Sequence, residues 1–112
     1  MNKLFIIGNL TADPESRTTK DGKLVCTFTV AVNRRPEGTD YFRVNAWSGL
    51  GDNCMKYLAK GRKVAVTGSV SVNTYSTKEG QMRASMDVHA DGVEFLSPKA
   101  ETPVQAPENP PV

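Results

Sequence analysis

The sequence holds a single histidine, His89, and a single tryptophan, Trp47, and its only cysteines are Cys26 and Cys54, among 112 residues. No Cys-x-x-Cys occurs, and a zinc site needs about four Cys or His ligands at paired spacings. With one histidine there is no Ser/His/Asp or Cys/His constellation for nucleophilic catalysis. No Gly-x-x-x-x-Gly-Lys loop is present to cradle a nucleotide. Asp13, Glu15 and Asp21 lie close in sequence, but in a turn region, which makes a poor cation site. No metal, no cofactor and no enzymatic activity are therefore expected. Both cysteines sit among apolar residues, where a thiol packs as a small hydrophobe.

Long apolar runs are also lacking. No stretch approaches the roughly 18 residues of a membrane span. The opening, Met1 to Asn9, has only four apolar residues in a row, too few for a signal peptide. The chain is expected in the cytoplasm, with no membrane partner. Net charge is small, +2. Thirteen Lys/Arg against ten Asp/Glu precede Ser97, a mildly basic balance that suits a polyanion without demanding one.

Glycine and proline divide the chain. All nine glycines lie at or before Gly92, whereas five of the seven prolines fall in the last 16 residues. Residues 1–96 read as one folded domain and 97–112 as a disordered, Pro-rich tail.

Within the domain, period-two patterning and turn residues predict strands over Lys3–Asn9, Leu24–Asn33, Asp40–Ser48, Lys63–Tyr75 and Met82–Phe95. Thr11–Lys20 is polar, with Asp13-Pro14 as a turn or bulge, and Asp21-Gly22 is a hairpin turn. Arg34–Thr39 is a loop, Lys78-Glu79-Gly80 a turn, and Asp91-Gly92 a bulge in the last strand. A short helix is predicted over Asp52–Lys60, with Asp52 at its start, Lys56 and Lys60 toward its end, and Gly61 at C′. Three strands, a helix and two strands give an all-β fold: a five-stranded Greek-key OB-fold barrel with one short helix between strands 3 and 4. Small β-sandwiches and SH3-like barrels compete, but seldom place a helix there.

Side chains alternate across a strand. In the third strand Phe42, Val44 and Ala46 form a core face, while Tyr41, Arg43, Asn45 and Trp47 share the other. Two large aromatics beside an arginine form a costly surface to leave in water. The fourth strand sets Val64, Val66, Val70 and Val72 on one face, with Gly68 between them. Lys63, Thr67, Ser69, Ser71, Asn73 and Tyr75 take the other. The second strand buries Cys26, Phe28, Val30 and Val32, presents Thr27, Thr29 and Asn33, and runs into Arg34 and Arg35. Aromatics interleaved with cations suit single-stranded nucleic acid, whose bases stack and whose phosphates need neutralising. The candidate DNA-binding residues are Tyr41, Trp47, Tyr75, Arg34, Arg35, Arg43, Lys3, Lys63, Lys78, Asn73 and Arg83. Taken singly, each aromatic also fits under a loop or in a subunit interface, and each cation fits plain solvation.

Several segments resemble the bacterial single-stranded-DNA-binding proteins of the homotetrameric OB-fold family. They are Asn2 to Leu10 with Asp13-Pro14-Glu15, Phe28 to Arg34, Tyr41 to Trp47, Tyr57 to Gly61 and Val64 to Gly68. The resemblance runs from about Met1 to Leu96. It implies binding of single-stranded DNA with little sequence preference, in replication, recombination and repair, by a homotetramer. It also implies stacking at the positions of Tyr41, Trp47 and Tyr75. A tryptophan that relatives often carry after the second strand has no counterpart between Arg34 and Asp40. Arg34 and Arg35 replace it with charge, which makes binding more salt-sensitive. The family's acidic tail tip, which recruits replication and repair proteins, is also without a counterpart: the chain ends Glu108-Asn109-Pro110-Pro111-Val112. Weak or no tip-mediated recruitment is expected, from either a truncated form or a naturally short member of phage or mobile-element origin. The competing reading is an OB-fold assembly module that buries Tyr41 and Trp47 between protein chains.

Overall fold

The computed structural model describes residues 1–96. They form β1 (Leu4–Leu10), β2 (Glu15–Thr18), β3 (Leu24–Asn33), β4 (Thr39–Trp47), α1 (Ser48–Tyr57), β5 (Lys63–Ser76) and β6 (Met82–Phe95). The sheet order is β1-β5-β6-β4-β3-β2, and a further β1–β3 pairing closes the ring. Every neighbouring pair is antiparallel except β4 and β6, which run parallel. Without β2 the circuit is β1-β3-β4-β6-β5, the OB barrel expected from the element order, with its helix between the third and fourth long strands. The tail, residues 97–112, lies outside the described residues.

Alternation builds the core. Phe28 and Val30 of β3, Phe42, Val44 and Ala46 of β4, Val64 and Val66 of β5 and Val88 of β6 are all buried. Ile6 and Leu10 of β1 and Leu58 after α1 join them. Each valine so buried contributes about 1.5–3 kcal/mol relative to exposure. Cys26 and Cys54 lie in this core with no accessible surface and no disulfide, as their apolar neighbours predict.

Two alternation readings need correction. Val72 shares a face with Val70 but is 61% exposed. The last β1 partner on β5 is Leu4 at Gly68, so by Val72 the strand has lost its neighbour on that side and is covered only from the Met86 side. Val32 is only half-buried, while Val25, on the opposite face of β3 between its strand partners Arg17 and Trp47, is buried.

The bulge is where the sequence places it. Thr67 pairs with Gly92 and Gly68 with Ala90, leaving Asp91 unpaired. One extra residue reverses the parity of β6, so Val88 faces inward before the bulge and the odd-numbered Val93 packs on the core after it.

The helix departs from expectation. It starts at Ser48, straight off β4, and ends at Tyr57. Trp47 is its N-cap, without a side-chain cap bond, so Asp52 is an interior residue rather than a start signal. Lys56 does lie in the last turn, but Lys60 is beyond the helix. Gly61 is not at C′ either. Its φ of 86° serves the turn in which the Arg62 N–H donates to the Ala59 carbonyl. Gly49 and Gly51 disguise the early start, since glycine disfavours helix. Packing overrides that preference: Gly51 is buried, and a Cβ there would stand 2.6 Å from the Ala46 carbonyl oxygen. A larger residue would hold α1 off the end of the barrel.

The polar stretch after β1 contains β2, which sequence patterning misses. All four residues of β2 are exposed, so no apolar period marks it. The strand exists because the backbone of β3 pairs with it from Glu15↔Thr27 to Thr18↔Leu24. Asp21-Gly22 turns this hairpin, with Gly22 at φ 81°. Asp13 accepts a hydrogen bond from the Lys60 N–H at 2.9 Å, tying the β1–β2 connection to the chain after α1.

Candidate nucleic-acid interface

The outer face of β3, β4, β6 and β5 is continuous, and strand register decides who shares it. Across the sheet run the rows Thr29–Arg43–Asp87–Ser71 and Thr27–Asn45–His89–Ser69. On β4, Tyr41 precedes Arg43 and Trp47 follows Asn45 on the same face. On the ribbon, Asn73 pairs with Ser85 and Tyr75 with Arg83. Tyr41, Arg43, Trp47, Asn73, Tyr75 and Arg83 thus come together on one surface. The aromatics are open: Tyr41 is 60% exposed, Tyr75 50% and Trp47 42%.

Polar contacts fix parts of this face. The Thr27 hydroxyl donates to Asn45 Oδ1 at 3.0 Å. Asn73 Nδ2 donates to Asp87 Oδ2 at 2.6 Å, and the Ser85 hydroxyl to the same oxygen at 3.4 Å. Beside Arg43 lies a groove of about 230 Å³, walled by residues of the β1–β2 connection and by Thr27 and Thr29.

The remaining candidates are differently placed. Arg34 is not free: its Nε lies 3.3 Å from Asp40 Oδ1. Gly38, at φ 107°, lets the loop fold under that guanidinium, and a Cβ there would stand 2.6 Å from Arg34 Nη2. Arg35, next along, is exposed and makes no ion pair among the described residues. Lys78 is exposed at the tip of the ribbon. Lys63 stands at the end of the row Lys63–Asn9–Ala31–Tyr41, three strand spacings from Tyr41. That is about 14 Å around the barrel at ~4.8 Å per strand. Lys3 is held by the bulge, its Nζ 2.7 Å from Asp91 Oδ2. Asp91 also accepts from the Thr67 hydroxyl at 2.9 Å. The Lys3 bond first, and the Thr67 bond after it, draw the Asp91 carboxyl below its ordinary value. Burial pushes the thiols the other way, Cys26 to about 11 and Cys54 to about 12.

Asp87 and His89 belong to this face and were not among the candidates. Alternation along β6 around the buried Val88 was the available signal. Among the described residues no group of three or more His, Cys, Asp or Glu side chains converges to hold a metal. No helix among them is long and apolar enough to cross a membrane.

The fold defines an OB barrel whose outer sheet face carries open aromatics and arginines. Residues 1–96 match the model of the single-strand binding protein family, and the chain belongs to that family. It is 43% identical over 108 residues to a single-stranded DNA-binding protein of Caldanaerobacter subterraneus subsp. tengcongensis, covering 89% of this chain and 71% of the relative. It is 40% identical over 110 residues to one of Thermotoga maritima, covering 90% and 78%. A third, from Staphylococcus aureus, is 37% identical over 111 residues, covering 94% and 71%.

Proposed function

We propose that this protein binds single-stranded DNA on the outer face of β3, β4, β6 and β5, protecting it during replication, recombination and repair. The observation that carries the reading is the joint exposure of Tyr41, Trp47 and Tyr75 on one face with Arg43 and Arg83. Bases stack on the rings at about 1–3 kcal/mol each, a range drawn from single-strand-binding OB folds themselves. Arginine and lysine neutralise phosphates, and every base has a π face, so sequence preference is small. Arg35 and Lys78 extend the charge beyond the sheet, along the β3–β4 loop and the ribbon. Lys63 lies on the path a strand would take around the barrel. The family is one of binding proteins, and the reading contains no catalytic step.

Assembly to a homotetramer belongs to the same reading. Phe5 and Ile7, on the outer face of β1, are 64% and 44% exposed, an apolar patch that suits contact with other subunits. The stretch 97–112 offers Glu101 and Glu108 well apart and no acidic cluster, so tip-dependent recruitment through it is weak. Its place of work is the cytoplasm, at the nucleoid.

The test is competition. A labelled pyrimidine single strand is bound, then challenged with unlabelled single strand or with duplex of equal length. Displacement by the single strand alone, with weaker binding by Tyr41→Ala, is expected. Equal displacement by duplex would remove the stacking mechanism.

A further inference from the structure

Asp87 is a carboxylate set into a surface that has to accept a polyanion. It sits in the row between Arg43 and Ser71 and is half-buried. Its Oδ2 is fixed by Asn73 at 2.6 Å and Ser85 at 3.4 Å. Its Oδ1 has no partner among the described residues, and no ion pair joins it to Arg43 although the two are register neighbours. A fixed, outward-facing acceptor costs nothing to order when a donor arrives. Phosphates are repelled from such a group, so whatever strand lies over it has to present base edges there instead.

Tyr41 stands one step from Arg43 on β4, and Asn73 and Tyr75 stand one and two steps from Ser71 on β5. Each step along a strand face is two residues, about 7 Å. Asp87 thus lies one step diagonally from Tyr41, within the reach of the edge of a base stacked on that ring. A carboxylate only accepts, and it distinguishes bases by their donors. Cytosine offers its N4 amino group, adenine N6, and guanine N1–H with N2. Thymine has only N3–H, hemmed in by the O2 and O4 carbonyls, which the carboxylate repels.

Resting on the proposed DNA path, we propose that Asp87 is a specificity-determining residue that tilts binding toward bases with an exocyclic amino group, cytosine in particular, and away from thymine. Asn73 and Ser85 are its positioning residues. A low-specificity binder thereby carries one base-reading position in its stacking face.

The experiment measures affinity of the full chain for oligo(dC) and oligo(dT) of equal length at neutral pH. Asp87→Asn keeps the shape and the acceptor for Asn73 but turns a donor outward. Asp52→Asn removes the same charge on α1. With Oδ2 taken, Asp87 offers one charged acceptor, and a hydrogen bond to a charged group is worth roughly five-fold or more in affinity. Asp87→Asn is expected to shift the dC-to-dT affinity ratio toward dT by at least that factor, and Asp87→Ser to shift it in the same direction. Asp52→Asn leaves the ratio as in the wild type. Equal tightening on both oligonucleotides would make Asp87 a repulsive charge only, and equal weakening would make it a pin for the ribbon. Either overturns the proposal while leaving the DNA path intact. If Tyr41→Ala leaves both affinities unchanged, the path itself is wrong and the proposal goes with it.

Discussion

Arg34 and Asp40 close the base of the β3–β4 loop, guanidinium to carboxylate at 3.3 Å, so the first cation of that loop meets DNA already partnered. Exposed pairs of this kind contribute little to stability, about 0–1 kcal/mol. Their effect on binding is larger, because a paired arginine releases fewer counterions from a phosphate backbone.

Asp40→Asn is therefore expected to tighten single-strand binding at low salt. It should also steepen the dependence of log K on log salt by about 0.7, the value for one added phosphate contact on a single strand. Arg34→Ala should weaken binding less than Arg43→Ala. Titrations at several salt concentrations check both. Identical slopes for wild type and Asp40→Asn would mean that Arg34 never engages DNA.

Tyr41→Ala and Tyr75→Ala are each expected to weaken single-strand binding by about 1–3 kcal/mol. Both side chains are half or more exposed, so unfolding midpoints should change little. Paired measurements of affinity and thermal unfolding separate the outcomes. Loss of stability without loss of affinity would place the rings in a subunit interface.

The barrel itself was largely legible. Val64 and Val66 and the Phe42-Val44-Ala46 face follow the period of two, and the Asp91 bulge carries a glycine beside it. Tyr41, Arg43 and Trp47 were found together for the same reason. What escaped depends on distant backbone. β2 has no buried side chain and exists through β3, and the first turns of α1 contain Gly51, whose close packing on Ala46 no local pattern encodes. The Arg34–Asp40 pair was hidden because five residues, among them Pro36 and Gly38, separate its members, and Asp87 because a face that takes a polyanion gives no reason to expect an anion in it.

Gly68→Ala is expected to destabilise the barrel. A Cβ there would overlap the His89 carbonyl oxygen and crowd the Ala90 Cα at 2.9 Å, both backbone at the bulge. Overpacking of this kind costs about 1–3 kcal/mol. Denaturant unfolding measures it, and an unchanged midpoint would show that the bulge yields freely.

Cys26 and Cys54 are expected to resist alkylation in the native protein at neutral pH and to react fully once unfolded. Their folded pKa values lie above the ordinary 9.0, so they favour the native state fully below pH 9.0. That contribution is lost as pH rises through 9.0 toward the folded values. Unfolding curves across this range, with Cys54→Ala as reference, check the sign.

Asp91 gives the opposite dependence. Its folded pKa lies below 3.8, so its contribution is complete above the ordinary value and lost as pH falls through the depressed one. The stability difference between wild type and Asp91→Asn should be constant at neutral pH and shrink in acid. A difference that grows in acid would contradict the Lys3–Asp91 bond as its cause.

The most direct measurement is the fluorescence of Trp47, the one tryptophan of the chain and the last residue of β4. The protein is titrated with an unstructured pyrimidine single strand and with duplex, each at low and high salt. Strong quenching by the single strand alone, weakening as salt rises, is the predicted result. Fluorescence that stays constant while an independent method records tight single-strand binding would contradict the placement of DNA on this face.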